Sequence, residues 1–294
     1  MLKPLWYYWS TMNRLTAAAR TQVIACLLEG CSIRSTVRVT GISKKAVMRL
    51  LCEAGTACAE YQNRVLRNLS PKRLQLDELW SWIYCKKGNV TPKIATKNPH
   101  AGDIWLWTGL DADSKLIVSW RLGPRDLATA YDFTHDLAER VSQRVQITTD
   151  GLKVYLEAVE SAFWEDVDYA VLQKVYGSDQ EAERRYSPAK IVSTSLEVIK
   201  GTPDPKHIST SYVERVNWST RTSMRRYTRL SNGFSRKLEN HEAAVALNYF
   251  AYNFIRIHRT LRVTPAMAAK VTDRLFDVAD IVRLLEEAES QKAA

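Results

Sequence analysis

The order of β-rich and helical segments in residues 74–177 is the sequence feature that most constrains the fold. Three runs rich in β-branched and aromatic residues come first, LQLDELWSWIYCK, DIWLWTGLD and KLIVSWRLG, and such runs predict strands. They are followed by a helical segment, LATAYDFTHDLAERVSQR, a short strand, VQITTDG, a second helix, KVYLEAVESAFW, and a further strand, VDYAVLQKVYG. The short polar loop at residues 111–114, between the second and third strands, predicts an antiparallel hairpin.

This order predicts an α/β protein with a mixed sheet, in which three antiparallel strands are followed by βα units with flanking helices. A ribonuclease-H-like sheet is built in this order, so we predict such a catalytic domain over residues 74–262. Residues 178–210 are polar and contain three prolines, which predicts a mostly irregular insertion within that domain. Helices are predicted from about residue 211 and over residues 239–258, and residues 263–294 form a predicted C-terminal helical tail.

An all-α segment precedes these strands. Apolar residues at helical spacing predict three short helices, and Ser32 and Ser43 stand at the N-cap positions of the second and third. Gly41 provides the tight turn between them, a pattern typical of a helix-turn-helix whose last helix enters the major groove of DNA. We therefore predict a DNA-binding domain over residues 13–62 and a linker over residues 63–73, although any small three-helix bundle shares the pattern. The candidate DNA contacts on the outer side of the third helix are Lys44, Lys45 and Arg49.

The charge balance indicates a polyanionic partner. The 294 residues include 42 Lys and Arg against 32 Asp and Glu, which gives a net charge of +10. Nucleic acid is the usual partner of such a chain, but charge alone also fits a generic basic protein. Five cysteines without a CxxC pair argue against a disulfide framework or a zinc ribbon and favour the cytoplasm. No run reaches the roughly 18 apolar residues that a membrane span needs, so no membrane partner is expected.

Three acidic residues occupy positions from which carboxylates can converge. Asp77 lies inside the first strand, Asp150 ends a short buried strand, and Glu214 lies in the first turns of a helix. Strands are depleted in aspartate, which makes Asp77 informative, whereas Asp150 could be a turn residue and Glu214 could favour the helix dipole. Magnesium prefers oxygen ligands, and phosphodiester chemistry commonly uses two such ions about 3.5–4 Å apart. The three acids therefore form the predicted catalytic and metal-binding set, with Mg²⁺ or Mn²⁺ as cofactor.

The helix that carries Glu214 is strongly basic. Asn217 lies one turn after Glu214 on the same stripe and is a candidate accessory residue. Residues 215–237 contain seven basic residues and no acid, which predicts phosphate contacts beside a metal site, although a solvated basic helix is the plain alternative. His207, a few residues upstream, is a second candidate accessory residue. The candidate DNA contacts in this segment are Arg215, Arg221, Arg225, Arg226 and Arg229.

Five stretches carry a resemblance to a known family: LQLDELW, VQITTDG, HISTSYVERVNWSTRTSMRRYTRLSNGFSRK, YFAYNFIRIHRTLRVTPAM and, upstream, GCSIRSTVRVTGISKKAV. Together they resemble the DDE transposases of bacterial insertion sequences, of the IS-one type, over nearly all of residues 13–275. The YVERVN stretch is the most specific of the matching segments. The resemblance implies a ribonuclease-H-like catalytic domain that depends on a divalent metal, with Asp77, Asp150 and Glu214 as its catalytic acids. It also implies that the N-terminal domain recognises terminal inverted repeats.

The function implied is that of a DNA transposase, which binds the ends of an insertion sequence and catalyses metal-dependent DNA cleavage and strand transfer. A catalytically silent DNA-binding regulator derived from a transposase is the alternative, and another ribonuclease-H-like nuclease is a third. The expected partner is double-stranded DNA, both terminal inverted repeats and target DNA. Because two DNA ends must be paired, a homodimer or higher oligomer is expected on DNA. The expected location is the bacterial cytoplasm, in association with the nucleoid.

Overall fold

A mixed β-sheet is the centre of the computed structural model, which describes residues 14–176, 191–228 and 231–293. The strands among these residues are β1 (Arg73–Ile83), β2 (Gly102–Asp111), β3 (Ile117–Gly123), β4 (Val145–Thr149), β5 (Val167–Tyr176) and β6 (Ile191–Lys200). They form one six-stranded sheet in the order β3-β2-β1-β4-β5-β6. The first three strands are antiparallel, β4 runs parallel to β1, β5 runs parallel to β4, and β6 is antiparallel to β5.

Helices flank this sheet and precede it. The α-helices in the described part of the chain are α1 (Ala17–Leu28), α2 (Ile33–Thr40), α3 (Lys44–Val65), α4 (Pro92–Lys97), α5 (Leu127–Ala138), α6 (Val154–Phe163), α7 (Ser211–Ser223), α8 (Leu238–Phe250), α9 (Pro265–Ala268) and α10 (Val278–Ala293). None of these described helices combines the length and the apolar character that a membrane crossing needs. The predicted α/β class with a mixed sheet and flanking helices is confirmed, and the strand order is consistent with a ribonuclease-H-like fold.

The two faces of the sheet pack against different helices. On β2, Trp107 is fully buried, and its ring lies 6.1 Å from that of Phe133 on α5 and 5.4 Å from that of Tyr155 on α6, measured between centroids. Its neighbour Thr108 shares a hydrogen bond of 3.0 Å with the Tyr249 hydroxyl of α8. Since successive side chains of a strand point to opposite faces, α5 and α6 cover one face and α8 covers the other. The central strands β1 and β4 are therefore buried between two helical layers.

The N-terminal helices begin at the capping residues that the sequence predicts. The side chains of Ser32 and Ser43 accept hydrogen bonds from backbone N–H groups in the first turns of α2 and α3, and Gly41 closes α2 with a left-handed φ of 69°. The third helix is longer than the short helix that the sequence predicts: residues 52–65 continue α3, because no proline interrupts them. The assignment of these three helices to a helix-turn-helix DNA-binding domain stays a prediction.

A close contact between α3 and α8 joins the N-terminal helices to the rest of the chain. Gly55 makes this contact possible, because a Cβ at this position would lie 2.4 Å from the backbone oxygen of Ala243. One turn and a half further along, the ring of Tyr61 packs edge-on against Phe250 and Phe254, with centroids 5.7 and 5.5 Å apart. The buried side chains of both helices belong to the same hydrophobic core as those of the sheet.

The expectation of an irregular insertion at residues 178–210 is wrong for residues 191–200, which form a strand. There β6 pairs with β5, from Tyr169 opposite Lys200 to Tyr176 opposite Ile191. The β-branched residues of IVSTSLEVIK favour a strand, but almost every side chain of β6 is exposed, so no buried face marked it in the sequence. Two of the three prolines follow the strand. The third proline lies in residues 177–190, outside the described residues.

Candidate active site

Three carboxylates meet in the middle of the sheet. Asp77 and Glu78 are consecutive residues of β1, and Asp150 follows the last residue of β4. Gln75 lies opposite Thr148 in the parallel pair of β1 and β4, so Asp77 and Asp150, each two residues further along, arrive side by side. One carboxylate oxygen from each of the three acids lies within 4.8 Å of those of the other two. The parallel register of two central strands therefore brings these distant residues together.

Asp77 is held by a side chain of α7. Its Oδ2 accepts a hydrogen bond of 2.8 Å from the side-chain amide of Asn217. Its Oδ1 accepts a hydrogen bond, also of 2.8 Å, from the backbone N–H of Glu78. Within the described part of the chain, the Oδ1 of Asn217 is buried and has no hydrogen-bond partner. Asn217 therefore orients the Asp77 carboxylate.

Glu78 is the most deeply buried acid of the cluster, with 8% of its surface exposed. Its Oε2 accepts a hydrogen bond of 3.1 Å from the Nε of Arg125. The guanidinium of Arg125 also lies 3.9 Å from the Asp150 carboxylate, so one cation serves two acids. The second oxygen of Glu78, Oε1, and the hydroxyl of Tyr155 are both buried, and neither makes a hydrogen bond of good geometry to a described residue. The two side chains are nevertheless neighbours, since the Tyr155 hydroxyl lowers the pKa of Glu78 and so offsets part of the effect of burial.

The acids disfavour one another's ionisation. Burial, and then the nearby charge of Asp150, raise the pKa of Asp77 from 3.8 to about 7. The same two causes raise the pKa of Glu78 from 4.5 to about 7. Both shifts mean that the folded protein disfavours the ionised form of these two carboxyl groups. At neutral pH the positive groups around the cluster therefore do not balance its negative charge.

The side chain of Gln75 fixes the position of α7. Its Oε1 accepts hydrogen bonds from the backbone N–H groups of Tyr212 and Val213, at 2.9 and 3.0 Å, in the first turn of the helix. Gln75 precedes Asp77 by two residues, so both side chains point to the same face of β1. A single strand thus positions Asp77 and also the helix that carries Glu214.

Glu214 opens into the same cleft as the aspartates, but other residues hold its carboxylate. A cleft of about 800 Å³ is lined by Asp77, Asp150 and Glu214 together with Lys174 of β5. The Oε1 of Glu214 accepts a hydrogen bond of 2.7 Å from the Thr210 hydroxyl and forms an ion pair with the ammonium group of Lys174. Glu214 lies outside the set of three carboxylates that share the 4.8 Å limit. The structure brings the three predicted acids to one cleft, which we call the acid cleft. There the ammonium group of Lys174 pairs with Glu214.

The donor groups of the acid cleft fit a divalent cation. Oxygens that share one Mg²⁺ at about 2.1 Å are roughly 3–4 Å apart. The oxygens of Asp77, Glu78 and Asp150 lie within 4.8 Å of one another, which is close to that spacing. Carboxylate oxygens are the hard donors that Mg²⁺ and Mn²⁺ prefer. A bound cation would also offset the burial and the repulsion that raise the pKa values of Asp77 and Glu78.

The two candidate accessory residues lie in different places. Asn217 contacts Asp77 directly. His207 lies in the turn before α7, where its ring contacts the guanidinium of Arg73 and lies 3.6 Å from the Asp204 carboxylate. In the described part of the chain, His207 is not among the residues that line the acid cleft. The structure therefore brings Asn217 to the acids and leaves His207 outside the acid cleft, at the start of β1.

The candidate DNA contacts fall into separate regions of the surface. Lys45 and Arg49 are exposed on α3, and Arg215 is exposed on α7. Arg221 lies in the last turn of α7, and Arg229 lies outside the described residues. The remaining candidates line a second cleft between the N-terminal helices and the segment after α7: Lys44, Arg225 and Arg226.

Sequence reasoning missed three residues of this region. Glu78 is a second consecutive acid inside a strand, and its rarity there was the signal that could have found it. Gln75 shares the i, i+2 face of Asp77, and only its contact with α7 reveals its role. Trp218 lies one turn after Glu214 on the same stripe, is 53% exposed, and packs its ring 4.2 Å from the guanidinium of Arg215. An exposed indole beside a basic group is suited to stacking on a nucleobase.

Comparison with known proteins leaves the function to be argued from the site. The cryo-EM structure of a piggyBac transposase synaptic complex with hairpin DNA aligns with 92% of this chain and 69% of its own chain, at 11% sequence identity and a TM-score of 0.42. No protein-family model matches the sequence, and no curated protein matches it. Similarity at this level assigns no family, so the strand order and the acid cleft carry the functional argument.

Proposed function

We propose that this protein is a transposase that cleaves and joins DNA with a divalent metal. The observation that carries the proposal is the convergence of Asp77, Glu78 and Asp150, whose carboxylate oxygens lie within 4.8 Å of one another. The cleft that Asp77 and Asp150 line is also lined by Glu214. Its basic neighbours and the net charge of +10 suit a phosphodiester substrate.

In this proposal the acids of the two central strands hold Mg²⁺ or Mn²⁺. The cation would activate a water or a DNA 3′-hydroxyl as nucleophile and stabilise the leaving oxygen. Asn217 keeps the Asp77 carboxylate in position through the hydrogen bond of 2.8 Å. Arg125, 3.9 Å from Asp150, and Lys174, at the other side of the cleft, hold the negatively charged phosphate oxygens.

Glu214 completes the proposed catalytic set when its carboxylate leaves Lys174. The ammonium of Lys174 is an adequate partner for a phosphate oxygen, so DNA entering the cleft provides the exchange. The carboxylate of Glu214 then turns toward Asp77, on a helix that Gln75 already fixes against β1. The DDE assignment of Asp77, Asp150 and Glu214 therefore includes a rearrangement on substrate binding.

We further propose that the substrate is the ends of a bacterial insertion sequence. The N-terminal helices, over residues 13–62, would recognise the terminal inverted repeats, with Lys44 and Lys45 at the exposed start of α3. Residues 74–262 would form the catalytic domain. Because cleavage and joining require two DNA ends together, the active form on DNA is a homodimer or a larger assembly, in the nucleoid of the cytoplasm.

Replacement of Asp150 tests the proposal. The Asp150 side chain is 40% exposed, so Asp150→Asn removes a charge with little effect on the core. We expect Mg²⁺-dependent cleavage of DNA taken from either side of the coding sequence to fall at least about 1,000-fold, while binding of that DNA is retained. The matched control is Asp132→Asn, whose side chain is 58% exposed on α5. If Asp150→Asn joins strands at the parent rate, the assignment of the acids is wrong.

A catalytically silent DNA-binding regulator is the second candidate, and the ion pair between Glu214 and Lys174 favours it. If that pair persists on DNA, the third acid does not reach the metal. The parent protein would then bind the DNA ends without cleaving them in Mg²⁺ or Mn²⁺, and Lys174→Gln, which removes the charged partner of Glu214, would restore cleavage. Cleavage of DNA by the parent protein would support the transposase and exclude the silent regulator.

A further inference from the structure

A second cleft, of about 470 Å³, lies between the N-terminal helices and the segment that follows α7. The turn before α2 and the first residue of α3 form one side, and residues 223–236 contribute to the other. The lining residues include no Asp or Glu. We call this the basic cleft because five cationic side chains line it: Arg34, Lys44, Arg225, Arg226 and Arg236.

The cations of the basic cleft lack acidic partners. Within the described part of the chain, none of the five forms an ion pair. Four of them, Arg34, Lys44, Arg225 and Arg236, are exposed to solvent. Arg226 instead donates its Nε to the Ser235 hydroxyl at 2.7 Å, and burial lowers its pKa to about 10. Arginines gathered without a carboxylate repel one another, so this arrangement calls for an anion.

Tertiary contacts hold the two sides of the basic cleft together. Gly30, with a φ of 75°, lets the turn between α1 and α2 approach the end of α7, since a Cβ there would lie 3.0 Å from the backbone oxygen of Ser223. Arg256 donates a hydrogen bond of 2.6 Å to the backbone oxygen of Leu28, at the end of α1. The first turns of α2 and α3 border the cleft, and helix N-termini add partial positive charge. The basic cleft is thus a fixed feature of the fold.

We propose that the basic cleft binds backbone phosphates of the same DNA that enters the acid cleft. This inference rests on the proposed function and deepens it, because it connects the N-terminal helices and the catalytic site through one DNA path. The planar guanidinium groups of the arginines match phosphate oxygens in a bidentate manner. Of the five cations, Arg34 and Arg236 were not among the DNA contacts that the sequence predicts.

The length of α7 gives the spacing between the two clefts. Glu214, near its start, faces the acid cleft, and Ser223, its last residue, lines the basic cleft. Nine residues of helix at about 1.5 Å each correspond to about 14 Å. At about 3.4 Å of rise per base pair, that distance is about four base pairs of duplex. For a duplex that runs along α7, the phosphates in the basic cleft lie about four base pairs from the phosphate that reacts.

Salt dependence of DNA binding tests the inference. Arg34→Ala and Arg236→Ala, alone and together, are compared with the parent for affinity to a labelled duplex, by fluorescence anisotropy at several salt concentrations. Each lost phosphate contact reduces the slope of log affinity against log salt by about 0.9. We expect the double variant to lose about 1.8 in slope and on the order of 10-fold or more in affinity near physiological salt.

The matched control is Arg38→Ala. Arg38 lies one turn after Arg34 on α2, is exposed, and hydrogen-bonds Ser35 rather than lining the cleft. Its removal takes away the same charge and leaves the slope at the parent value. Arg34→Lys keeps the charge and should keep the slope, which separates loss of a phosphate contact from loss of folding. Arg34→Ala and Arg236→Ala variants with the parent slope overturn the inference.

The outcome is independent of the catalytic assignment. If Asp150→Asn abolishes cleavage and the basic-cleft variants keep the parent slope, the transposase proposal stands and this inference fails. If the slopes fall as expected and no protein cleaves DNA in Mg²⁺ or Mn²⁺, the DNA path stands and the catalytic proposal fails.

Discussion

The contact between α3 and α8 and the acid cleft differ in the side chains that they contain. Both include buried residues, but the contact is mostly apolar and the cleft is acidic. Along α3 and α8, close apolar packing dominates, from Gly55 against Ala243 to Tyr61 against Phe250. In the acid cleft, carboxylates are buried beside one another and one arginine serves two of them. Of the four buried side-chain atoms without hydrogen-bond partners among the described residues, three lie at or beside the acids: Glu78 Oε1, Asn217 Oδ1 and Tyr155 OH.

This difference shows where the protein gains stability and where it gives stability up. Apolar packing contributes to folding without any ligand. A cluster of buried carboxylates destabilises the ligand-free fold, because ionisation is opposed by burial and by repulsion. Functional sites commonly break the rules of polar satisfaction that the rest of a fold obeys. Substitutions in the two regions should therefore affect stability in opposite directions.

Glu78→Gln should lower catalysis without harming the fold. If Glu78 belongs to the metal site, as its place in the carboxylate cluster indicates, its loss reduces DNA cleavage about 100-fold, or about 3 kcal/mol in the barrier. The melting temperature without metal should not fall, because a buried charge is removed. Cleavage assays and thermal unfolding measure the two effects, with Glu165→Gln, whose side chain is 75% exposed, as the control. Unchanged cleavage would restrict the metal site to Asp77, Asp150 and Glu214.

Asp77→Asn should stabilise the metal-free protein at alkaline pH. The pKa of Asp77 is raised from 3.8 to about 7 in the folded state, so the folded state holds this proton more tightly than the unfolded state. Its ionisation costs nothing below about pH 3.8, the cost grows as the pH rises to about 7, and it is complete above that. At pH 8 in a chelator, the variant should gain on the order of 2 kcal/mol in unfolding free energy.

Denaturant unfolding at pH 5 and pH 8 measures this gain. The advantage of Asp77→Asn over the parent must be larger at pH 8, and added Mg²⁺ must stabilise the parent more than the variant. Asp132→Asn, which changes a side chain 58% exposed, gives the background effect of removing a carboxylate. A variant less stable than the parent at pH 8 without metal would show that Asp77 supports the fold. The buried carboxylates would then not destabilise the ligand-free protein.

Gly55→Ala should destabilise the contact between α3 and α8. The added Cβ would lie 2.4 Å from the Ala243 backbone oxygen, and overpacking of this kind costs about 1–3 kcal/mol. Alanine favours a helix over glycine by about 1 kcal/mol, so the net loss is at most about 2 kcal/mol in unfolding free energy. Gly88→Ala is the control, because nothing lies within 4 Å of a Cβ there. Equal stability of the two variants would mean that α3 and α8 are not closely packed.

Local sequence signals predicted most of the elements. Alternating and β-branched residues located β1 to β5, and serines at N-cap positions located the starts of α2 and α3. β6 escaped prediction because an exposed edge strand buries no face, and burial is what makes the period of two visible. Among the acids, Asp77 was found from its strand position. Glu78 was not, because the sequence shows that it follows Asp77 but not that its carboxylate lies within 4.8 Å of that of Asp150.

Residue type and spacing alone determined the helix starts, the strands with a buried face, the basic character of the chain and the candidate acids, because these depend on neighbours within a few positions. The tertiary structure decided which acids share a cleft, that Lys174 engages Glu214, and that Arg34 and Arg236 face one cleft with Arg226. These facts depend on strand register and helix packing between residues far apart in the chain, and no local pattern encodes such distances.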